Sequence, residues 1–130
     1  MDMVKLYLDV IMDTKGKKMK VETLFKTGEE VYYISCGYEE IAISKIKIAE
    51  IRISINEKTT DIVYTGRGLV RECNMFPTKE DAETFIEKIT MKNLKKQLKQ
   101  IDKPIKPLTP EMLTIELEKH YEEFTGYIVS

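Results

Sequence analysis

Isoleucine recurs through residues 41–55 with a rhythm that a plain strand cannot satisfy. The groups are Ile41-x-Ile43, Ile46-x-Ile48 and Ile51-x-Ile53-x-Ile55, each starting five residues after the last. Side chains alternate faces along a strand, so the isoleucines within a group share a face. The steps from Ile43 to Ile46 and from Ile48 to Ile51 are odd, so a flat strand throws successive groups onto opposite faces. Either both faces are buried or the strand bends. A bend or bulge near Ser44-Lys45 or Ala49-Glu50 returns the groups to one face, and strongly bent strands are how small sheets curl into barrels.

The surrounding segments read as further short strands. Met3 to Met12 alternates, with Leu6, Leu8 and Val10 on one face and Lys5, Tyr7 and Asp9 on the other. Asp13 to Lys18 is polar and reads as a turn. Met19, Val21 and Thr23 lead into Leu24-Phe25, and Thr27-Gly28-Glu29-Glu30 reads as a hairpin connection to Val31-Tyr32-Tyr33-Ile34. Asn56 to Thr59 supplies a turn before the strand Asp61–Thr65. Gly66-Arg67-Gly68 then breaks the chain before a last strand over Leu69–Phe76. About six short strands at this spacing suit a small barrel or sandwich.

Texture changes at Pro77. Residues 1–77 are rich in Ile, Val, Tyr and Thr, whereas residues 78–130 are rich in Glu, Lys, Leu and Met at helical spacing. Thr78 is an N-cap, and the apolar face runs Ala82, Phe85, Ile86 and Ile89, drifting to Leu94 and Leu98. Three prolines, Pro104, Pro107 and Pro110, interrupt the helix, which restarts at Thr109-Pro110. Leu113, Leu117, Tyr121 and Phe124 form the second apolar stripe, Gly126 ends it, and Tyr127–Val129 is a docked tail or a short added strand. The expected class is α+β: a small bent antiparallel β-barrel over 1–77, followed by two C-terminal helices over 78–130 packed on or beside it as one folding unit.

Charge excludes some functions. Twenty-one basic residues against twenty-two acidic ones leave a net charge of -1, unsuited to generic DNA coating. No apolar run approaches a membrane span and the N-terminus lacks signal-peptide character, so a cytoplasmic protein without membrane contact is expected. Cys36 and Cys73 are far apart, without metal-ligand spacing, and read as reduced thiols. His120 is the one histidine, flanked by Glu116 and Glu123 at helical spacing. A metal could use such a set, but a solvated acidic helix face with a histidine on it is the favoured reading. No nucleophile signature accompanies any serine. Ser35-Cys36-Gly37 resembles a nucleophile turn only in outline, and Cys36 reads as a small apolar residue ending a strand. No catalytic, cofactor or metal site is assigned.

Partner-binding candidates come from charge and aromatic placement. Residues 88–108 carry seven lysines and one acid, whereas residues 109–130 carry five glutamates and one lysine. Lys88, Lys92, Lys95 and Lys99 form one helical stripe, either a basic ridge for a partner or a face packed on the glutamate-rich helix. No aromatic or arginine interleaves with these lysines, which weakens nucleic-acid recognition. Adjacent Tyr32 and Tyr33 point to opposite faces, so one is expected at the surface as interface material. Arg67 sits in a turn that suits an anion, though a plain hairpin turn also explains the glycines.

The junction Phe76-Pro77-Thr78-Lys79-Glu80-Asp81-Ala82-Glu83, following the strand pair Ile51–Ile55 and Asp61–Thr65, resembles small phage and prophage proteins of low-GC Gram-positive bacteria. In these an SH3-like β-barrel ends in a strand and an F-x-T-[KR]-E-[ED]-A-E motif opens a helix. The likeness covers about residues 31–90 and carries no catalytic residue. It implies a phage-encoded, non-enzymatic module that docks on a host or phage protein, with inhibition of a host defence system as one form. The alternative is a nucleic-acid-binding accessory protein using the lysine-rich helix with Arg67 and Arg71. Oligomeric state is left open.

Overall fold

The computed structural model describes residues 7–12, 18–37, 40–55, 59–100 and 102–129. The expectations at Met3–Leu6, at residues 13–17 of the first turn and at residues 56–58 of the Asn56–Thr59 turn lie outside them. The strands are β1 (Tyr7–Met12), β2 (Lys18–Thr23), β3 (Glu30–Cys36), β4 (Ile41–Lys47), β5 (Glu50–Ile55), β6 (Thr60–Thr65), β7 (Leu69–Arg71) and β8 (Met75–Phe76). A 3-10 turn at Glu72–Asn74 separates β7 from β8, and the helices are α1 (Lys79–Leu98) and α2 (Pro110–Thr125). All pairings are antiparallel, in ladders ordered β1-β2, β4-β3-β8 and β5-β6-β7. The class is α+β.

The isoleucine rhythm is resolved in both ways that parity allows. Through β4 the strand stays unbroken: Ile43 lies opposite Ile34, and Ile46 opposite Val31. Ile41 and Ile43 pack with the helices, whereas Ile46 and Ile48 pack into a second core with Val31, Ile62, Tyr64 and Met75. The β4-β3-β8 sheet is therefore buried on both faces, and no bulge forms at Ser44-Lys45. At the second odd step the chain changes partners. Ile48 N–H donates to Glu29 O at 2.9 Å beside β3, and Ala49 N–H donates to Thr65 O at 2.7 Å beside β6. This break carries Ile51, Ile53 and Ile55 back onto the core that holds Ile46 and Ile48.

Two connections differ from the sequence reading. Leu69–Phe76 is not one strand, because the 3-10 turn at Glu72–Asn74 moves the chain from the β5-β6-β7 ladder to the edge of β3. The Thr27–Glu30 turn does not join paired strands: β2 pairs with β1, and β3 with β4 and β8. Gly28 takes φ 89° there, a left-handed conformation that glycine adopts without strain. At the C-terminus Tyr127–Val129 is a docked tail. Thr60 N–H donates to Ile128 O at 3.0 Å, and Tyr127 O–H donates to Glu22 O at 3.0 Å.

The helices begin and end where the sequence places their signals. Asp81 N–H donates to Thr78 Oγ1 at 3.1 Å, and Met112 N–H to Thr109 Oγ1 at 3.2 Å, each satisfying an N-terminal donor. Gly126 closes α2 in the left-handed region. Ala82, Phe85 and Ile89 of α1 pack with Leu113 and Leu117 of α2 over Ile34 and Phe76. Phe124 leaves that stripe: it is 42% exposed and stacks beside His120, with ring centroids 6.2 Å apart. Leu98 is likewise exposed rather than core.

Candidate functional site

The four lysines of the α1 stripe have different surroundings. Lys92 Nζ donates to both carboxylate oxygens of Glu116 on α2, at 3.1 and 3.3 Å. Lys88 lies beside His120 and Phe124 in a shallow cleft with Phe85. Lys95 is exposed, and Lys99 is the exposed C-cap of α1. Only Lys92 joins the two helices through an ion pair among the described residues.

Between α1 and α2 runs a groove of about 300 Å³. Ile89, Leu108, Met112 and Ile115 supply its apolar surface, and Lys92, Lys96 and Lys119 line it with one acid, Glu116. Met112 and Ile115 are 39% and 54% exposed. Glu116 is held by Lys92, so Lys96 and Lys119 leave the groove electropositive. Sequence reasoning missed Lys96, Lys119, Met112 and Ile115, because their proximity depends on how the helices meet.

Tyr33 and Arg67 come together at a second groove of about 530 Å³, bordered by β4 and the β6–β7 turn. None of the four stripe lysines lines it, whereas Lys45 and Lys47 do. Gly66 is required by packing: a Cβ there would lie 2.6 Å from Ile46 Cγ1 and 2.9 Å from Lys47 O. The turn thus lies against β4 and presents Arg67, which is exposed and makes no ion pair among the described residues. Tyr32 is on the opposite face of β3, in register with Lys45 and Phe76. Lys45 pairs with Glu30 at 2.8 Å, and that contact holds the Glu30 carboxyl below its ordinary range. Arg71 is ion-paired with Glu118 at 3.1 Å, away from Arg67.

Among the described residues the most deeply buried carboxylate is Glu72, at 2% exposure in the 3-10 turn. Tyr64 O–H donates to its Oε2, Tyr121 O–H to its Oε1 at 2.6 Å, and Leu24 N–H to Oε2 at 3.1 Å. Burial and the neighbouring carboxylate push both tyrosine hydroxyls well above their ordinary range, so both act as donors. A buried charge needs such partners. Phe25 N–H donates to Tyr64 Oη at 3.3 Å. The node thus ties the end of β2, β6, the 3-10 turn and α2 together. Its one legible signal was parity: Glu72 follows buried Val70 by two within an apolar run.

His120 sits between Phe85, with ring centroids 5.1 Å apart, and Phe124. Its buried Nε2 has no hydrogen-bond partner among the described residues. Burial, then the Lys88 charge, lowers its pKa below the ordinary histidine value. No group of three metal-ligating side chains converges among the described residues, and no helix among them is long and apolar enough to cross a membrane. Set beside known proteins, the chain matches no family model, no curated protein and no solved structure.

Proposed function

We propose that the chain is a non-enzymatic protein-docking module whose groove between α1 and α2 receives an amphipathic segment with apolar anchors and acidic flanks. The observation that carries this is the pairing of exposed Met112 and Ile115 with Lys96 and Lys119 in one groove. Apolar anchors flanked by complementary charge are how a helix is held in a groove. Methionine adapts its shape to an incoming side chain, and lysines at the rim steer acidic partners and set register. Glu72 and His120 enter this reading as structural groups, one held by two tyrosine hydroxyls and the other between two phenylalanines.

The strand circuit supports an SH3-like barrel within the same proposal. Pairing runs β8-β3-β4, passes along the chain into β5-β6-β7, and returns through the 3-10 turn to β8. On this reading the chain acts in the cytoplasm as a phage-type module, and its partner is a host or phage protein, a host-defence component among them. The lysine stripe as a nucleic-acid ridge is the weaker reading, since Lys92 is tied to Glu116.

The test compares wild-type protein with Ile115→Asp and with the Lys96→Glu/Lys119→Glu double variant. These exposed changes should leave melting within about 0.5 kcal/mol of wild type. Partners captured from lysate after nuclease treatment are identified, and an acidic amphipathic fragment of a candidate is titrated by calorimetry. Binding that both variants lose, with a gain of helical circular dichroism in the fragment, supports the proposal. A partner that both variants retain, or that nuclease releases, refutes it.

A further inference from the structure

We infer that the proline-rich strap joining α1 to α2, residues 103–109, is itself a ligand, bound by a partner domain with an aromatic-lined, acid-rimmed polyproline groove. Its sequence with the first residue of α2 is Lys103-Pro104-Ile105-Lys106-Pro107-Leu108-Thr109-Pro110, in which proline recurs at every third position. A polyproline II helix has three residues per turn, so that spacing sets the prolines along one edge. The backbone has little freedom to do otherwise. Each proline ring fixes its own φ, and the residues before the rings, Lys103, Lys106 and Thr109, are pushed into extended conformations. Thr109 has φ -94° and ψ 156°. Residues 103–109 accordingly form neither helix nor strand.

The strap is fastened to the body while its outer surface stays open. Gln97 of α1 clamps Lys106 through both ends of its amide: Nε2–H donates to Lys106 O at 2.7 Å, and Lys106 N–H donates to Gln97 Oε1. Asn93 Nδ2–H donates to the same carbonyl at 3.4 Å. Leu108 is half-buried against the core beneath the helices. Pro104, Ile105, Lys106 and Pro107 remain exposed. The clamp also decides the kind of partner. Strand addition needs main-chain donors, yet Pro104 and Pro107 have no N–H and that of Lys106 is taken by Gln97. A helical docking segment is excluded by the prolines themselves. Recognition therefore runs through the side-chain edge of a pre-ordered polyproline segment, the mode of aromatic-lined grooves, and pre-ordering lowers the entropy cost of binding. Lys103 and Lys106 are exposed and make no ion pair among the described residues, and no acid falls between Asp102 and Glu111. The complementary groove carries carboxylates at its rim.

The probes are two SH3 domains with carboxylates flanking the proline groove and a third with lysines there, each titrated into the isotope-labelled full chain and followed by NMR. The acid-flanked domains should give saturable shifts at the Ile105, Lys106 and Leu108 amides, and the lysine-flanked domain should bind at least about tenfold more weakly. Pro104→Ala and Pro107→Ala should each weaken binding at least about tenfold with melting nearly unchanged, because both rings are exposed. Gln97→Ala leaves the contact edge intact but releases the clamp, and should weaken binding by about tenfold through the restored backbone freedom. The Lys103→Glu/Lys106→Glu double variant should lose the preference for acid-flanked grooves. No saturable binding by either acid-flanked domain, shifts that map elsewhere, or binding indifferent to both proline substitutions overturns the inference. So does a labelled oligothymidylate that binds the strap through its lysines and displaces the domains. None of these substitutions touches Met112, Ile115, Lys96 or Lys119, so the strap and the helix groove fail or stand separately.

Discussion

Replacing Tyr121 by phenylalanine isolates the Glu72 node. The ring stays packed at its 5% exposure, and only the O–H donor at 2.6 Å from Glu72 Oε1 is lost. A hydrogen bond to a charged group contributes about 1.5–3 kcal/mol net. Glu72 retains Tyr64 O–H and Leu24 N–H on its other oxygen, which places the expected loss in that range, not at the larger cost of an unpaired buried ion. For a chain of 130 residues this lowers the melting temperature by roughly 5–10 °C. Alkaline pH supplies a second reading. Tyr121's pKa is raised in the folded state from an ordinary value of 10.0, so above that value the unfolded chain loses the proton first. Its stability contribution is complete below about pH 10 and declines by about 1.4 kcal/mol per pH unit above it. Phenylalanine has no such dependence, so the gap between wild type and Tyr121→Phe should narrow above pH 10. Urea melts at pH 8 and at two alkaline values measure both effects. A variant within about 0.5 kcal/mol of wild type at pH 8, or a gap that widens in alkali, refutes the assignment.

Gly66→Ala should destabilise by about 1–3 kcal/mol, because one of the three close contacts is the Lys47 carbonyl rather than a movable side chain; thermal melting reads it. Cys73 is buried, and burial pushes its thiol up to about 11, so an alkylating reagent at pH 8 should modify Cys36 long before Cys73, as peptide mass spectrometry would show. His120 is held neutral, so the unfolded chain binds its proton first and stability should fall as pH drops through about 6.5 and below; His120→Phe should flatten that slope in acid melts. Deleting residues 101–130 removes Leu113, Leu117 and Tyr121 from the core, and the loss of about 1.5–3 kcal/mol for each buried side chain should abolish cooperative melting.

Elements whose signals are local were legible in the sequence. Thr78, Pro110 and Gly126 act through the first or last turn of their own helix, so their identity alone placed the helix ends. Isoleucine parity is also local, and it narrowed residues 41–55 to two-sided burial or a bend. The choice at each step depended on the partner strand: β3 continues beside β4 through Lys47, so the first step stays flat, and β6 takes over beyond Ala49. The 3-10 turn was hidden because Glu72 is stabilised by Tyr64 and Tyr121, eight and forty-nine residues away. Lys92 has one neighbour set by its own helix and another, Glu116, set by packing. Spacing showed the first and left the second open.

The burial of β4-β3-β8 on both faces determines where recognition can occur. A sheet with one solvated face offers that face to partners, but here Ile34 and Phe76 meet the helices while Val31 and Met75 meet the second core. Tyr32 and Tyr33, placed on opposite faces by strand geometry, are both half-buried as a result. Open groove surface is therefore displaced to the margins of the layers, between the two helices and where a turn folds onto a strand. The two grooves occupy those positions, and both are lined by lysine or arginine in a chain whose net charge is -1. Local charge of that kind acts over about one Debye length, roughly 8–10 Å near physiological salt. At that range the chain's overall acidity does not cancel the field at either groove, so an electropositive groove and an acidic protein are compatible.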